Sequence, residues 1–266
     1  MLIAQISDLH LRTDGKLLKD KVDSVAALEA AINHLNALDP QPDVVLATGD
    51  LVNKADKQDF QALRAGFDRI QAPVLVIPGN HDDRTLMRET FGDQGYFQDE
   101  KFLHYTVEDY PIRLIGLDTV KEGSDGGELC GSRRGWIDSR LREQPERPTF
   151  IFMHHPPFGT GIGFMDKLDF YGASQFAEII SRHPHVVHIT CGHMHRPMTV
   201  AYSGTAASVA PSLVFQMALD LKPDAPSGFV LEPPGLKLYT WVPGTGLVGH
   251  VGVIGDYGPK HPFVPD

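Results

Sequence analysis

Cysteine is nearly absent from this chain: Cys130 and Cys191 are the only two in 266 residues. A disulfide framework is therefore excluded as the basis of its stability. Long hydrophobic runs are missing as well, and no apolar stretch approaches the roughly 20 residues that cross a bilayer. Positive charge is in short supply. Lys and Arg number 24 against 34 Asp and Glu, a formal net charge of -10, which argues against stable nucleic-acid binding because that needs clustered cations to neutralise phosphates. An anionic small molecule is still admissible, since bound metal ions can reverse the local charge. The chain opens Met1-Leu-Ile-Ala-Gln-Ile6 and reaches Asp8 at once. From this we expect no signal peptide, no membrane association and a cytoplasmic location.

The hydrophobic share of 42% and charged share of 22% are those of a globular domain, and the length suffices for one large core. Six short apolar runs read as buried strands: Leu2–Ile6, Val44–Ala47, Val74–Ile77, Ile112–Leu117, Phe150–Met153 and Val186–Thr190. Helical spacing predicts helices over Ser24–Leu38, Gln58–Ile70, Gly135–Leu141 and Ser174–Arg182, the last with Ser174 as its cap. Alternating strands and helices imply an α/β arrangement with a largely internal sheet. After Pro197 the chain becomes rich in Gly and Pro, with strand-like pieces at Gly228–Leu231 and Leu236–Trp241. We expect a β-rich completion of the fold there, acting as a cap or subunit contact.

Five polar blocks follow apolar runs in fixed order: Asp8-x-His10, Gly49-Asp50, Gly79-Asn80-His81-Asp82, His154, and Gly192-His193-x-His195. In extended chain, residues i and i+2 point the same way, so Asp8 with His10, and His193 with His195, can each reach one ion. Gly49 permits a tight turn before Asp50, whose two carboxylate oxygens make it the natural bridge between two ions. Asn80 adds a neutral amide oxygen. Two carboxylates, one amide and four imidazoles suit Mn, Fe, Co or Zn better than Ca or Mg. Any one block alone could be a surface histidine, a helix cap or an ordinary turn. The remaining histidines (His34, His104, His183, His185, His188, His250 and His261) lack this context and read as structural or solvated.

These blocks carry a resemblance. Ser7-Asp8-Leu9-His10, Thr48-Gly49-Asp50-Leu51-Val52, Pro78-Gly79-Asn80-His81-Asp82, Met153-His154-His155-Pro156-Pro157 and Cys191-Gly192-His193-Met194-His195 are similar to the five blocks of the calcineurin-like metallophosphoesterases. The likeness is strongest to the bacterial branch of class III cyclic-nucleotide phosphodiesterases and glycerophosphodiesterases. It implies an α/β (α+β) fold: a four-layer αββα sandwich of two mixed sheets flanked by helices, with a C-terminal β-rich cap. Residues 1–200 would form the catalytic core, and 201–266 the completion with a cap or dimer contact, so a homodimer or higher homo-oligomer is expected. The resemblance also implies that Asp8, His10, Asp50 and His195 hold one divalent ion while Asp50, Asn80, His154 and His193 hold the other. Mn or Fe is the first expectation for the metals, Zn or Co the alternative.

The implied activity is hydrolysis of small phosphodiesters, 3′,5′-cyclic AMP or glycerophosphodiesters. Two ions roughly 3.5–4 Å apart can share a water and bring its pKa toward neutrality, giving a metal-bridging hydroxide. His81 lies beside a ligand without belonging to the set, and we expect it to donate a proton or hydrogen bond to the phosphate or the leaving alkoxide. Asp82 and His155 are expected to orient neighbours. Arg12, Arg84 and Arg196 each follow a block closely and are candidates to touch substrate. Gly159-Thr-Gly161-Ile-Gly163 lacks the Lys and the following helix of a P-loop and reads as a flexible rim over the metals. A phosphomonoesterase or nuclease on the same metals is the alternative enzyme. A non-catalytic scaffold is a third reading, which the complete ligand set disfavours.

Overall fold

The computed structural model describes residues 1–259 and 261–263. In chain order its elements are β1 (Leu2–Ile6), α1 (Ser24–Asn36), β2 (Val44–Thr48), α2 (Lys57–Phe67), β3 (Val74–Ile77), α3 (Arg84–Phe91), β4 (Tyr105–Val107), β5 (Arg113–Leu117), β6 (Gly127–Glu128) and α4 (Gly131–Glu143). Then come β7 (Thr149–Met153), β8 (Phe170–Tyr171), α5 (Ala173–Ser181), β9 (Val186–Cys191), β10 (Met198–Tyr202), β11 (Thr205–Val209), β12 (Gln216–Met217), β13 (Phe229–Val230), β14 (Gly235–Val242) and β15 (Gly246–Val253). All six expected strands form within a residue or two of their predicted bounds. Asp23 caps α1 as its side chain accepts from the Val25 and Ala26 amides. The expected Ser174 cap does not form. Gly172, in left-handed conformation, precedes α5, and the Ser174 hydroxyl turns to Gln175. Helix α3, capped by Asp83, had no prediction: at eight residues it is too short for a clear periodic signal.

Two mixed sheets stack. One has the order β15-β14-β1-β2-β3 and the other β10-β11-β9-β7-β5-β4. The side-chain period of two then sorts the residues. On one face of the first sheet Ile3, Val44, Leu46, Leu75 and Ile77 meet the second sheet's Leu114, Phe150 and Phe152. On the other, Ala4, Ile6, Val45, Ala47 and Val76 pack under Leu28 and Ile32 of α1 and Phe60 and Leu63 of α2. Helices α4 and α5 contribute Ile137, Leu141, Phe176 and Ile180 beneath the second sheet. This is the four-layer αββα sandwich, and each fully buried Leu, Ile or Phe adds roughly 1.5–3 kcal/mol to it. Alternation alone suggested a single internal sheet; the observed pair reflects one sheet's buried face finding its cover in another sheet rather than in helices. The segment after 197 is woven into both, as β10 and β11 extend one sheet and β14 and β15 extend the other.

One buried cation stands apart from the site. Lys237 on β14 is 4% exposed and lies 5.3 Å over the Tyr239 ring, with no ion pair among the described residues. Burial pushes its ammonium down from the ordinary 10.5 to about 8. The unfolded chain therefore binds more protons than the folded one between about pH 8 and 10.5, so this group's penalty is full below pH 8 and is relieved as pH rises through that window. Lys237→Met should stabilise the fold at pH 7 by about 1–3 kcal/mol, with the gain shrinking toward pH 10.5. Melting curves at pH 7 and 10 test this; a lower Tm for the variant at pH 7 would mean that the Tyr239 contact outweighs desolvation.

Candidate metal centre

The five blocks follow β1, β2, β3, β7 and β9, each at the strand's carboxyl end, where open α/β sheets gather ligands. Since β1–β3 belong to one sheet and β7 and β9 to the other, the site lies on the seam between the two. Gln5 stitches that seam, donating to the Thr48 hydroxyl at 2.9 Å and the Cys191 carbonyl at 3.0 Å. Asp8 does the same nearer the mouth: its carboxylate accepts from the His193 amide at 3.0 and 3.1 Å.

The backbone is strained where the side chains converge. Eight non-glycine residues have left-handed φ among those described, and five of them are Asp8 (54°), His10 (43°), Asp50 (48°), His193 (69°) and His195 (44°). Such conformations hold only when their surroundings over-determine them, and they cluster at functional sites. Two glycines make room for the convergence. Gly49 has φ 87°, and a Cβ there would lie 2.6 Å from His154 Nδ1; at Gly79 it would overlap the Asp50 carboxylate. Asp82 fastens both turns, accepting from the Leu51 and Val52 amides at 3.0 and 3.1 Å and the Gly79 amide at 2.8 Å.

Donor atoms collect in two groups. Asp8, His10, Asp50 and His195 bring ligand atoms within 4.8 Å of one another, and so do His154, His155 and His193. Asp50 joins them, with Oδ2 at 3.7 Å from His10 Nε2 and 3.4 Å from His154 Nε2. All of these residues are buried. His154 Nδ1 donates to the Thr48 carbonyl at 2.8 Å and His195 Nδ1 to the Phe215 carbonyl at 3.0 Å. In the neutral rings that assignment leaves both Nε2 lone pairs facing inward. His154 Nε2 then stands 3.2 Å from the Asn80 amide oxygen, and His195 Nε2 stands 3.0 Å from His10 Nε2. The His154–Asn80 pair turns acceptor toward acceptor, a contact that repels unless a cation or a proton lies between the two. The donors therefore fit two metal ions.

Without cations, protons must do that work. Burial raises the Asp50 carboxyl, but the facing His154 and His10 outweigh it and hold Asp50 well below the usual carboxylate range. Burial likewise lowers His154, but Asp50 and Asp8 raise its imidazole to about 9. Burial drives His193 down to about 3 and His10 well below its ordinary value, so both are neutral lone-pair donors.

Other expected residues fall variously. The outer partners of the buried imidazoles are backbone carbonyls, whereas Asp82 orients backbone and His155 Nδ1 shares a hydrogen bond of 2.8 Å with Thr119. His155 Nε2 is buried and unpartnered beside His154 and His193. His81 donates from Nδ1 to the Asn53 carbonyl at 2.8 Å, stands edge-on to the His10 ring, and lines the cleft. Arg12 lines the cleft while paired with Asp14. Arg84 is held by Asp118 and Glu122, and Arg196 by Glu232 and the Met217 carbonyl. The Gly159–Gly163 turn closes on the Asp166 carboxylate through Thr160 and Gly161, and the chain beyond it sends Phe164, Met165 and Leu168 into the cleft. Sequence reasoning missed Phe215, which supplies the carbonyl to His195 and stacks on that ring at 4.9 Å. No local signal marks it, because 20 residues separate the two.

A sequence model described as calcineurin-like phosphoesterase matches residues 1–197. The chain is 35% identical over 264 residues to a probable glycerophosphodiester phosphodiesterase, GpdQ, of Arcobacter nitrofigilis, covering 99% of this chain and 97% of that one. It is 27% identical over 214 residues to the 3′,5′-cyclic adenosine monophosphate phosphodiesterase CpdA of Escherichia coli K12, covering 80% and 76%. Its fold is similar to that of a dimetal phosphatase from Danio rerio, with a TM-score of 0.65 at 13% identity over 96% of this chain and 99% of that one. No helix among the described residues is long and apolar enough to cross a membrane. With the family match running through all five blocks, this chain belongs to the calcineurin-like phosphoesterases and is a metal-dependent phosphoester hydrolase.

Proposed function

We propose that the chain is a phosphodiesterase for small diesters, of the glycerophosphodiester or cyclic-nucleotide kind, that Asp8, His10, Asp50 and His195 hold one ion, and that Asp50, Asn80, His154 and His193 hold the other. The observation that carries this is Asp50 Oδ2, which lies within 3.7 Å of an imidazole from each donor group. We take Mn or Fe as the native metals. When bound, the ions supply Lewis acidity toward phosphate oxygens and acidify an attacking water. The chain's own residues do the positioning. Thr48 and Phe215 fix the tautomers of His154 and His195, so that these rings present lone pairs rather than protons. His81 is aimed by Asn53: with Nδ1–H committed to that carbonyl, Nε2 is the nitrogen left to donate to an ester oxygen.

Residues 1–200 serve as the catalytic core in this reading, with 201–266 completing both sheets and capping the cleft from Phe215 to Leu231. A homodimer through that cap, a cytoplasmic location and no stable nucleic-acid binding complete the proposal; the net charge of -10 supports the last. A diester carries one negative charge and a monoester up to two, so the metals alone do not reject the monoester. Discrimination has to come from how the cleft receives the second ester arm. Metal-loaded protein should turn over a model aryl diester at least about tenfold faster than the matching monoester, about 1.4 kcal/mol in the barrier. Steady-state kinetics with a higher kcat/KM for the monoester would overturn the diesterase reading.

A further inference from the structure

The cleft above the metal centre is far larger than a phosphate group with a small alcohol. Its volume is about 1040 Å³, at the upper end of pockets that enclose a drug-sized ligand. The candidate ligands occupy its floor. One wall is built from Phe164, Met165, Leu168, Met217, Phe229 and Leu231, none of which offers a polar side-chain atom for binding a hydroxyl-rich arm. The methionines are unbranched and adaptable, which suits a flexible guest. The aromatic rings nearest the floor are already engaged: Phe215 stacks on His195 at 4.9 Å and 27°, and Phe229 tilts against Phe215 at 4.9 Å and 47°. On the rim Lys19 and Lys21 outnumber Asp125, which disfavours a cationic arm.

The apolar wall also continues out of the cleft. Leu231 is 59% exposed, and the exposed Leu221 reaches the rim at Gly161, where a Cβ would lie 3.7 Å from its Cδ2. An arm longer than the cleft is deep would stay on apolar surface as it leaves. We infer that the second ester arm of the substrate is a long apolar alcohol, an alkyl chain lying along this wall with the phosphodiester on the floor. The inference rests on the diesterase reading and deepens it by naming the class of the second arm.

The test is a series of p-nitrophenyl phosphodiesters whose second alcohol is methanol, butanol or octanol. The leaving group is constant, so only the arm varies. From methyl to octyl, kcat/KM should rise at least about tenfold, chiefly through KM, because each buried methylene adds to binding. Calorimetry on the metal-loaded protein should show octylphosphonate binding more tightly than methylphosphonate by a similar factor. The double variant Phe229→Ala with Leu231→Asn, at half-buried and exposed positions of the cleft, should shrink the octyl-to-methyl ratio to about two or less, a ratio in which any loss passed to His195 through Phe215 cancels. Equal kcat/KM across the wild-type series overturns the inference while leaving a working diesterase. So does a thymidine arm preferred over octyl, or a ratio the double variant leaves intact. If no member is hydrolysed, the diesterase reading itself fails.

Discussion

Asp50→Ala is expected to lower kcat/KM by at least about a thousandfold, roughly 4 kcal/mol in the barrier, and to stay inactive in excess metal. Asp50 Oδ2 lies within 3.7 Å of an imidazole nitrogen from each donor group, and its Oδ1 also accepts the His81 amide at 2.9 Å. Removing it takes a ligand from both proposed ions and frees the turn that carries Asn80 and His81. Chelation of the wild type should likewise abolish hydrolysis, with Mn or Co restoring it. Asn80→Ala is the contrast. Its amide oxygen faces His154 of one donor group, so the loss should fall on one ion, and added metal should recover part of the activity. Elemental analysis and metal titration decide the matter. Two ions bound by Asp50→Ala with wild-type affinity would falsify the bridging role, and wild-type activity that survives chelation would remove the metal centre from the mechanism.

His81→Ala is the second large effect. The residue is exposed on the cleft, its Nδ1 is held by the Asn53 carbonyl, and its ring meets His10 edge-on without entering either donor group. Both metals should therefore remain in the variant. Rate on an alkyl diester should fall about 10²–10⁴-fold, the usual range for a positioned general acid. An aryl diester, whose leaving group needs little protonation, should lose much less. Equal losses on both substrates would reassign His81 to stabilising charge on the phosphate, and loss of a metal would make it a structural support of the floor.

Much of this was legible along the chain. Short apolar runs, most of them rich in Val and Ile, marked β1, β2, β3, β7 and β9, and a polar block behind each put Asp8, Asp50, Asn80, His154 and His193 at strand ends. Buried strands read clearly because both faces are apolar. The segment after Pro197 was legible only in part. Leu236–Trp241 and Gly228–Leu231 marked β14 and β13, but half of β15 faces solvent in a Gly-rich stretch, so neither a continuous nor an alternating apolar pattern marks it. The Ser174 cap failed because a glycine in left-handed conformation already turns the chain into α5.

Residue types and their order determined the kind of chemistry: two carboxylates, an amide and four imidazoles select a divalent metal whatever the fold. Only the tertiary structure decided which atoms face inward and what surrounds them. The outward nitrogens of His154 and His195 are fixed by the carbonyls of Thr48 and Phe215, 106 and 20 residues away. The apolar wall opposite them comes from two separate segments, around Phe164 and around Phe229. Ligand identity is a property of single side chains and survives in a linear code. Tautomer, strain and cleft shape are properties of neighbours, and neighbours across a seam between two sheets exist only once both sheets have closed.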